Sequence, residues 1–326
     1  MTDETQHSKM TALKLVFPPV NNRFAYSLKD ADVFEHYVRK SDFYMLGMKP
    51  IWMLGNWRDI DNQGNVTFDI IENKKIIDTG TVNISKITLT LLDQNNDLED
   101  GKYTVKTQLT KKGIFFIKED DDHTLEVLTP ENILWHKSNR TRYFQAITGF
   151  ENYDKILNVD LLYVGIAKVG DTYDRLISKG HKIRMEIPAA KMPIVAGEDI
   201  SEELTLFFFK TESFYISQFG LDEEEFETPI IERKNVVADC EKAFVSILKP
   251  EFNSVIFQNY PQGADGLYNT NLARYVYYIG EDIKFNLPLS NQSIQGGFNN
   301  MTGLPRQTTD SIFVDRTTDQ VTLHKA

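Results

Sequence analysis

The sequence predicts an α+β protein with a β-rich N-terminal domain, a small domain of short mixed or antiparallel sheet flanked by helices, and a C-terminal β extension. Three observations lead to this prediction. Short runs of strand-forming residues alternate with turn signals over residues 64–128. Strand-like and helix-like patterns then alternate over residues 139–261. After Pro261 the chain becomes polar and rich in Gly and Asn, and it contains the pattern of a closing β-hairpin.

The composition is that of an ordinary globular chain, since 41% of its 326 residues are hydrophobic and 25% are charged. A formal net charge of -11 argues against a general nucleic-acid binder, although a local surface, and not the average charge, binds phosphate. The lone Cys240 excludes an intrachain disulfide and is typical of a reducing cytosol. Residues 1–10 lack an apolar run of signal-peptide type, and the longest uncharged stretch, 285–305, is too polar to span a bilayer. We therefore expect a cytoplasmic protein without a membrane partner.

The predicted N-terminal domain covers residues 13–138, after a disordered start over residues 1–12. Its apolar spacing predicts one helix over 29–39. Strands separated by Gly-, Asn- and Asp-rich turns form an antiparallel meander and are predicted at 66–71, 82–92, 103–109, 114–117 and 124–128. The acidic run 119–122 lies before the last strand. It is more typical of a solvated hairpin tip than of a metal site.

A domain boundary is predicted between residues 129 and 142, and the second domain is predicted over residues 139–261. Its elements are expected in the order strand, strand, helix, strand, helix, at 143–147, 160–167, 171–179, 204–209 and 230–248. Gly180 and Pro250 are typical of positions just after a helix end. The acidic block 222–227 is predicted to be a loop.

The C-terminal extension is predicted over residues 262–326. A strand is expected at 275–279, and a closing hairpin at 311–314 and 320–323.

The predicted helix over 230–248 carries a carboxylate where its apolar face needs an apolar residue. Positions 237, 241, 244 and 248 share one face of a helix, and only position 241, which is Glu241, is polar. Such a break in the binary pattern is frequent at functional sites, where a loss of stability is tolerated. The alternative interpretation is that the stripe frays and Glu241 lies at its solvated rim.

Three further motifs surround Glu241 in a specific order. Tyr163-Val-Gly165 lies on a predicted strand, Arg175 lies on the next predicted helix, and Lys249-Pro-Glu-Phe-Asn253 follows the helix of Glu241. This order resembles that of the GIY-YIG nucleases, over about residues 140–261, and the stretch 163–168 is most similar to the strand of their excision-repair members. The resemblance implies a short sheet flanked by helices and metal-dependent hydrolysis of phosphodiester bonds.

The resemblance also implies a role for each matching residue. Glu241 corresponds to the glutamate that holds Mg²⁺ or Mn²⁺, with phosphate oxygens and waters as the remaining ligands. Arg175 is implied to fix and neutralise the phosphate, and Tyr163 to position or deprotonate the attacking water. Asn253 is implied to tie the site together by hydrogen bonds. Tyr143 is the candidate for the tyrosine of the first strand, which normally carries Gly-Ile-Tyr.

Basic residues near Arg175 complete the predicted site. His181 and Lys179 are candidates for a second catalytic member, because the family places a histidine or a lysine near this point. Lys168 and Lys182, together with Asn253, are predicted to bind substrate. Six basic residues stand against three acidic ones between positions 163 and 191, a local charge of +3 in an acidic chain.

Each of these residues also has a purely structural interpretation. Tyr163 can be an ordinary strand aromatic, and Asn253 can be a turn residue. Arg175 can be a surface charge paired with Asp171 or Asp174. The sequence alone leaves both interpretations open.

Three functions remain at this point. The first is an endonuclease acting on DNA, or on RNA, in restriction or defence, with the N-terminal β-rich domain recognising a target or a protein partner. The second is a catalytically inactive module of the same fold that binds nucleic acid or a protein, which the acidic charge and the missing Gly-Ile-Tyr favour. The third is a structural or assembly protein that makes its contacts through the β-meander. Convergence of Tyr163, Arg175 and Glu241 on one cleft would favour the first.

Overall fold

The computed structural model describes residues 6–58, 60–94, 104–119, 123–152, 157–168, 170–218, 230–299 and 301–326. The chain forms two compact units. The first consists of Met1–Lys49 together with Asn158–Ala326, and the second consists of Pro50–Leu157. The second unit is therefore an insertion into the sequence of the first.

Strands and helices alternate in both units, in agreement with the predicted α+β class. The strands are β1 (Gln6–Leu15), β2 (Val20–Asn21), β3 (Phe43–Met48), β4 (Trp52–Gly55), β5 (Asn65–Glu72), β6 (Lys75–Asn83), β7 (Val105–Thr110), β8 (Gly113–Lys118), β9 (Thr124–Leu128), β10 (Ile147–Gly149), β11 (Asn158–Ile166), β12 (Leu204–Gln218), β13 (Leu272–Ile279), β14 (Lys284–Leu287), β15 (Gln292–Gln295), β16 (Ser311–Asp315) and β17 (Gln320–His324). The helices are α1 (Asn22–Ser27), α2 (Asp32–Val38), α3 (Ile84–Gln94), α4 (Pro130–Ser138), α5 (Tyr173–Ser178, wound as a π-helix), α6 (Ile183–Ala190), α7 (Ile200–Glu203) and α8 (Arg233–Leu248).

The first unit is organised around a mixed sheet in the order β15-β14-β11-β3-β12-β1-β13-β16-β17, with β2 also paired to β12. β1 pairs in parallel with β13, and β11 pairs in parallel with β14. The other neighbours are antiparallel. The N-terminal strand β1 thus lies between two strands from the C-terminal half of the chain.

β3 and the first part of β12 form the apolar centre of this sheet. All six residues of β3 are buried, as are residues 204–209 of β12, and a strand with both faces covered has such a continuous apolar sequence. Tyr44, Leu46 and Phe208 belong to a core that also takes in Phe34 of α2 and Leu176 of α5.

Helix α8 covers another part of the sheet. It packs against β11, and the ring of Phe244 contacts that of Phe43 on β3 at 5.7 Å between centroids. The helix ends because Lys249 adopts a left-handed backbone conformation (φ 48°) directly before Pro250. The helix predicted over 230–248 is therefore confirmed, apart from its first residues.

The second unit holds two smaller antiparallel sheets, β10-β6-β5-β4 and β7-β8-β9. Helix α4 begins at Pro130, where the side chain of Thr129 accepts a hydrogen bond from the N–H of Asn132. The predicted meander is confirmed for β5, β7, β8 and β9, but residues 95–103 and 120–122 lie outside the described residues. The acidic run 119–122 is described only at Glu119.

The structure divides the chain differently from the sequence prediction. The first unit includes residues 13–49, which were predicted to belong to the N-terminal domain, and residues 139–157 belong to the second unit. The boundary predicted between 129 and 142 is occupied by α4, inside the second unit. The reason is that β1 and β3 pair with strands far along the chain, and no local pattern reveals such pairing.

The two predicted chain ends are also corrected. Residues 6–15 form β1, so the disordered start predicted over 1–12 is wrong from residue 6 onward, and residues 1–5 lie outside the described residues. The region 262–326 is an integral part of the large sheet and not an extension, because β13 pairs with β1. Its predicted strand and hairpin are confirmed in β13, β16 and β17.

Two predicted strands are wrong. Residues 84–94 form α3, because the buried Ile87 and Leu91 are four residues apart and the side chain of Asn83 accepts a hydrogen bond from the N–H of Lys86 at the start of the helix. The strand predicted over 143–147 is a short 3-10 turn, Phe144–Ala146, followed by β10. Both segments bury residues three or four apart, as turns of helix do.

The remaining predictions near the site agree with the structure. β11 corresponds to the strand predicted over 160–167, α5 to the helix over 171–179, and β12 extends the strand predicted over 204–209. The acidic block 222–227 lies outside the described residues. Among the described residues, no helix combines the length and the apolar character that crossing a bilayer requires.

Candidate functional site

Two tyrosines lie side by side on the neighbouring strands β3 and β11. Tyr163 pairs with Leu46, and Gly165 pairs with Tyr44, so the two tyrosines are diagonal neighbours on one face of the sheet. Their rings are stacked, with centroids 6.0 Å apart and planes inclined by 25°. A hydrogen bond joins the two hydroxyl groups.

Gly165 makes this arrangement possible. A Cβ atom at position 165 would lie 2.7 Å from Cε1 of Tyr163 and 2.8 Å from Cζ and the hydroxyl oxygen of Tyr44. Any other residue would therefore collide with both rings. The Tyr-Val-Gly motif of the sequence thus has a local physical reason.

Arg175 on α5 joins the tyrosine pair from the next helix. Its Nε donates a hydrogen bond of 3.1 Å to the Tyr44 hydroxyl oxygen. Because Tyr44 accepts this bond, its own proton is directed to the oxygen of Tyr163. Asp171 and Asp174, the surface partners considered for Arg175, instead pair with Arg39. The structural interpretation of Arg175 as a surface ion pair is therefore wrong.

His181 completes the group, with its Nε2 3.2 Å from Nη2 of Arg175. Its Nδ1 lies 3.3 Å from the backbone nitrogen of Ile183. Burial and the charge of Arg175 lower the pKa of His181, so the ring is neutral at pH 7 and carries one proton. A neutral ring has one acceptor nitrogen, so Nη2 of Arg175 and the N–H of Ile183 compete for it. Because a guanidinium can only donate, the 3.2 Å contact is a hydrogen bond from Arg175 to Nε2 in the tautomer whose proton lies on Nδ1.

Glu241 approaches the same residues from α8. It is half-buried, while Val237, Phe244 and Leu248 of its stripe are buried. Burial raises the pKa of Glu241 above its usual range, and Lys168, Arg175 and a hydrogen bond from the N–H of Ile166 act in the opposite direction. Its carboxylate therefore lies within electrostatic reach of Arg175, and it also raises the pKa of Tyr163.

The edge of β11 explains how Glu241 reaches this position. β14 pairs only with residues 158–160, so the later part of β11 has polar backbone groups that another partner must satisfy. The N–H of Phe252 donates to the carbonyl of Leu162, and Glu241 accepts from the N–H of Ile166. The segment after α8 and the Glu241 side chain thus take the place of a neighbouring strand.

The Asn253 side chain satisfies the backbone N–H and carbonyl of Val164, which lies between Leu162 and Ile166 on β11. Its Nδ2 donates to the carbonyl of Val164 at 2.8 Å, and its Oδ1 accepts from the N–H of Val164 at 2.9 Å. Val164 directly follows Tyr163, so Asn253 positions the tyrosine through the backbone. The implied role of tying the site together agrees with this geometry, whereas the amide is engaged by the strand and is not presented to a substrate.

The protonation state of Tyr163 limits what it can do. Burial is the largest influence and raises its pKa, while the hydrogen bond from Tyr44 and the charge of Arg175 lower it. At pH 7 Tyr163 is therefore a neutral phenol. In this environment it can orient a water molecule, and removal of a proton from that water needs additional positive charge.

The predicted basic residues lie at different distances from the group. Lys168 is exposed and acts electrostatically on Glu241. Lys179 is exposed at the end of α5 and lines a cavity next to His181. Lys182 is exposed and forms an ion pair of 2.6 Å with Glu186.

The prediction that Tyr143 is the tyrosine of the first strand is wrong. It belongs to the second unit, where its buried hydroxyl donates a hydrogen bond of 2.9 Å to Glu126 and its ring contacts His136. The tyrosine on the strand next to Tyr163 is Tyr44. The sequence signal for it was the aromatic and apolar run 43–48, but the whole second unit separates this run from β11.

A metal ion at this site would depend on Glu241 and on its substrate. Among the described residues, no group of three or more His, Cys, Asp or Glu side chains is arranged to hold a metal ion. A single carboxylate fits Mg²⁺ or Mn²⁺ when phosphate oxygens and waters complete the coordination. Half-burial beside Arg175 and Lys168 is compatible with such a ligand, because a bound cation would stabilise the charged carboxylate.

The comparisons with known proteins give no relative. No family model, no curated protein and no solved structure matches this chain.

Proposed function

We propose that the first unit is a metal-dependent endonuclease of GIY-YIG type that hydrolyses phosphodiester bonds of DNA or of RNA. One observation carries this proposal. Tyr44, Tyr163, Arg175, His181 and Glu241 come from β3, β11, α5, the turn after α5 and α8, and they interact with one another. A group of polar side chains whose pKa values are shifted by burial and by one another is a candidate for a functional site.

The order of elements supports the proposal. β11, β3 and β12 are adjacent antiparallel strands, α5 with Arg175 follows β11, and α8 with Glu241 follows β12. This is the order that the resemblance requires, if Pro50–Leu157 is treated as an insertion between the first two strands. The interval between Tyr143 and Tyr163, which is long for the family, then no longer matters, because Tyr44 replaces Tyr143.

Each side chain has a defined task in this mechanism. Arg175 binds oxygens of the scissile phosphate and neutralises charge that develops on it, and His181 orients the guanidinium by accepting a hydrogen bond from its Nη2. Tyr163, held by Asn253 through Val164 and by the hydroxyl of Tyr44, orients the attacking water. Glu241 is the residue that would hold Mg²⁺ or Mn²⁺, and the ion would supply charge stabilisation for the leaving group.

A second candidate function is a catalytically inactive module that binds nucleic acid or a protein partner. The position of Glu241 favours it, since burial raises the pKa of this carboxyl and a metal ligand must be ionised. The net charge of -11 also favours it. The two candidates differ in one measurable property, which is turnover.

The test is incubation of the purified full chain with labelled single-stranded DNA, duplex DNA and RNA, in Mg²⁺, in Mn²⁺ and in EDTA. We expect cleavage only with a divalent cation, and a loss of about 100-fold or more in Tyr163→Phe, Arg175→Ala and Glu241→Gln. Matched controls are Tyr37→Phe and Glu251→Gln, which make the same chemical changes at exposed positions. Cleavage that survives all three site variants would reject the proposal, and binding without cleavage would support the inactive module.

A further inference from the structure

A cavity adjoins the candidate site and shares His181 with it. Its volume is about 670 Å³, and its lining comes from α1, the end of α5 and the starts of α6 and α7. Ligand pockets usually measure about 300–1,000 Å³. The cavity is thus large enough for one nucleotide, and its wall includes the imidazole that faces Arg175.

The charge of the lining is positive. Arg23, Lys29, Lys179 and Arg184 stand against the single carboxylate of Asp199. Arg23 is neutralised by Asp199, with Nη1 and Oδ2 2.6 Å apart.

Arg184 is held inside the protein. Its Nε donates to Oδ1 of Asn22 at 2.6 Å, and its Nη1 donates to the carbonyl of Leu176 at 2.9 Å. These acceptors are neutral, so Arg184 keeps its charge while its N–H groups are engaged. Lys29 and Lys179 are therefore the cations that an anion in the cavity would contact.

Two exposed apolar side chains belong to the same lining. Tyr26 is 65% exposed and Met185 is 77% exposed. The amino group of Lys29 lies 4.7 Å from the centroid of the Tyr26 ring. An exposed aromatic ring with a cation beside it is the combination on which single-stranded nucleic acids stack their bases.

We propose that this cavity binds the nucleotide next to the scissile phosphate. The base of this nucleotide leaves the stack of its own strand and packs against the Tyr26 ring, and its phosphate lies near Lys179. The preferred substrate is then a single-stranded or locally unpaired nucleic acid, because a base must leave the duplex stack to enter a pocket. This inference rests on the proposed function of the adjoining site. Single-stranded DNA and single-stranded RNA share this chemistry, and they differ in the sugar, which is deoxyribose or ribose.

The test measures binding separately from cleavage. Fluorescence anisotropy of the full chain in EDTA, at one salt concentration, compares a labelled DNA single strand, an RNA single strand of the same sequence and the blunt DNA duplex. We expect at least one single strand to bind about tenfold more tightly than the duplex. A preference between the two single strands identifies the sugar and supports the proposal in either direction.

Variants of the cavity sharpen this test. Tyr26→Ala should weaken single-strand binding by about 5- to 150-fold, the range expected for loss of one stacked base, while Tyr26→Phe should change it less than about threefold. Lys179→Ala should weaken binding and reduce its salt dependence. Tyr37→Ala is the matched control, because Tyr37 is exposed and has the amino group of Lys40 at 4.8 Å from its ring, but does not line the cavity.

The outcomes separate this inference from the nuclease proposal. Equal affinity for duplex and single strands, or unchanged binding by Tyr26→Ala, overturns the inference even if metal-dependent cleavage is observed. Absence of binding to all three probes also overturns it. A strand preference that is lost in Tyr26→Ala and kept in Tyr37→Ala supports it, even if no cleavage occurs and the nuclease proposal fails.

Discussion

Gly165 on β11 lies directly opposite Tyr44 on β3, and the hydroxyl of Tyr44 occupies the space that a side chain at position 165 would need. The stacked pair of Tyr44 and Tyr163 depends on this missing Cβ. Because the two rings lie close together, the Tyr44 hydroxyl can accept a hydrogen bond from Arg175 and donate one to Tyr163. The glycine is therefore a structural requirement of the candidate site.

We predict that Gly165→Ala displaces both tyrosine rings. Added methyl groups in packed sites cost about 1–3 kcal/mol of stability, and a displacement of about 1 Å in an active site costs about 100-fold in rate. Thermal unfolding and the cleavage assay measure the two effects. A double-mutant cycle with Tyr44→Leu provides the control: removal of the ring should relieve the clash with Tyr44 and leave room for Tyr163 to move, so the two changes should be non-additive. Strict additivity would show that the clash does not occur.

We predict a pH-dependent stabilisation by Glu241→Gln. Burial raises the pKa of Glu241 in the folded protein, so the fold holds its proton more tightly than the unfolded chain does, and ionisation opposes folding. This destabilisation is absent below the ordinary glutamate pKa of about 4.3, develops as the pH rises towards the higher folded pKa, and is fully present above it. Replacement by Gln removes it.

Thermal unfolding at several pH values measures this effect. At pH 7 the Glu241→Gln variant should melt at a higher temperature than the unmodified protein. Well below the ordinary glutamate pKa of about 4.3, the two proteins should melt at the same temperature. Glu251→Gln, at an exposed position where the carboxylate pairs with Lys191, should give no gain in stability at pH 7. Loss of cleavage together with this gain in stability would indicate a functional carboxylate. Unchanged cleavage would remove Glu241 from the mechanism.

We predict that Asn253→Ala lowers both stability and cleavage. The change leaves the N–H and the carbonyl of Val164 without their partner, and an unsatisfied buried polar group costs about 1–3 kcal/mol. Asn253→Asp retains the acceptor for the N–H but places a carboxylate oxygen against the carbonyl, so it should not restore the protein. Unfolding and cleavage are measured beside Ser254→Ala at an exposed neighbour. A normal rate in Asn253→Ala would show that Tyr163 needs no support from the Asn253 side chain.

We predict that the first unit folds without the second. Met48 near the start of the insertion pairs with Asp160 near its end, so the two chain ends at the excision point are strand neighbours. Replacing residues 50–157 by about four Gly and Ser residues, the length of a hairpin loop, should keep a cooperative unfolding transition. Circular dichroism and thermal melting check this. A chain that lacks a transition would show that the insertion is required for the sheet.

Local sequence patterns predicted the elements that carry the site. The apolar runs 161–167 and 204–209 and the stripe around Glu241 depend only on neighbours in the chain, so the presence and type of these elements were predicted, although β12 continues to Gln218, beyond the predicted end at 209. The same local reasoning failed for α3, where a broken alternation of apolar residues also fits a helical period, and the spacing of Ile87 and Leu91 decides for the helix.

The amino-acid sequence by itself determined the order of Tyr163, Arg175, Glu241 and Asn253, because each lies in a short motif within one element. Only the tertiary structure decided that Tyr44, and not Tyr143, accompanies Tyr163, and that β1 and β13 lie side by side. These pairings join residues that lie more than 100 positions apart in the sequence. They depend on which buried surfaces fit together, and strand pairing of this kind leaves no periodic signal in the sequence around either partner.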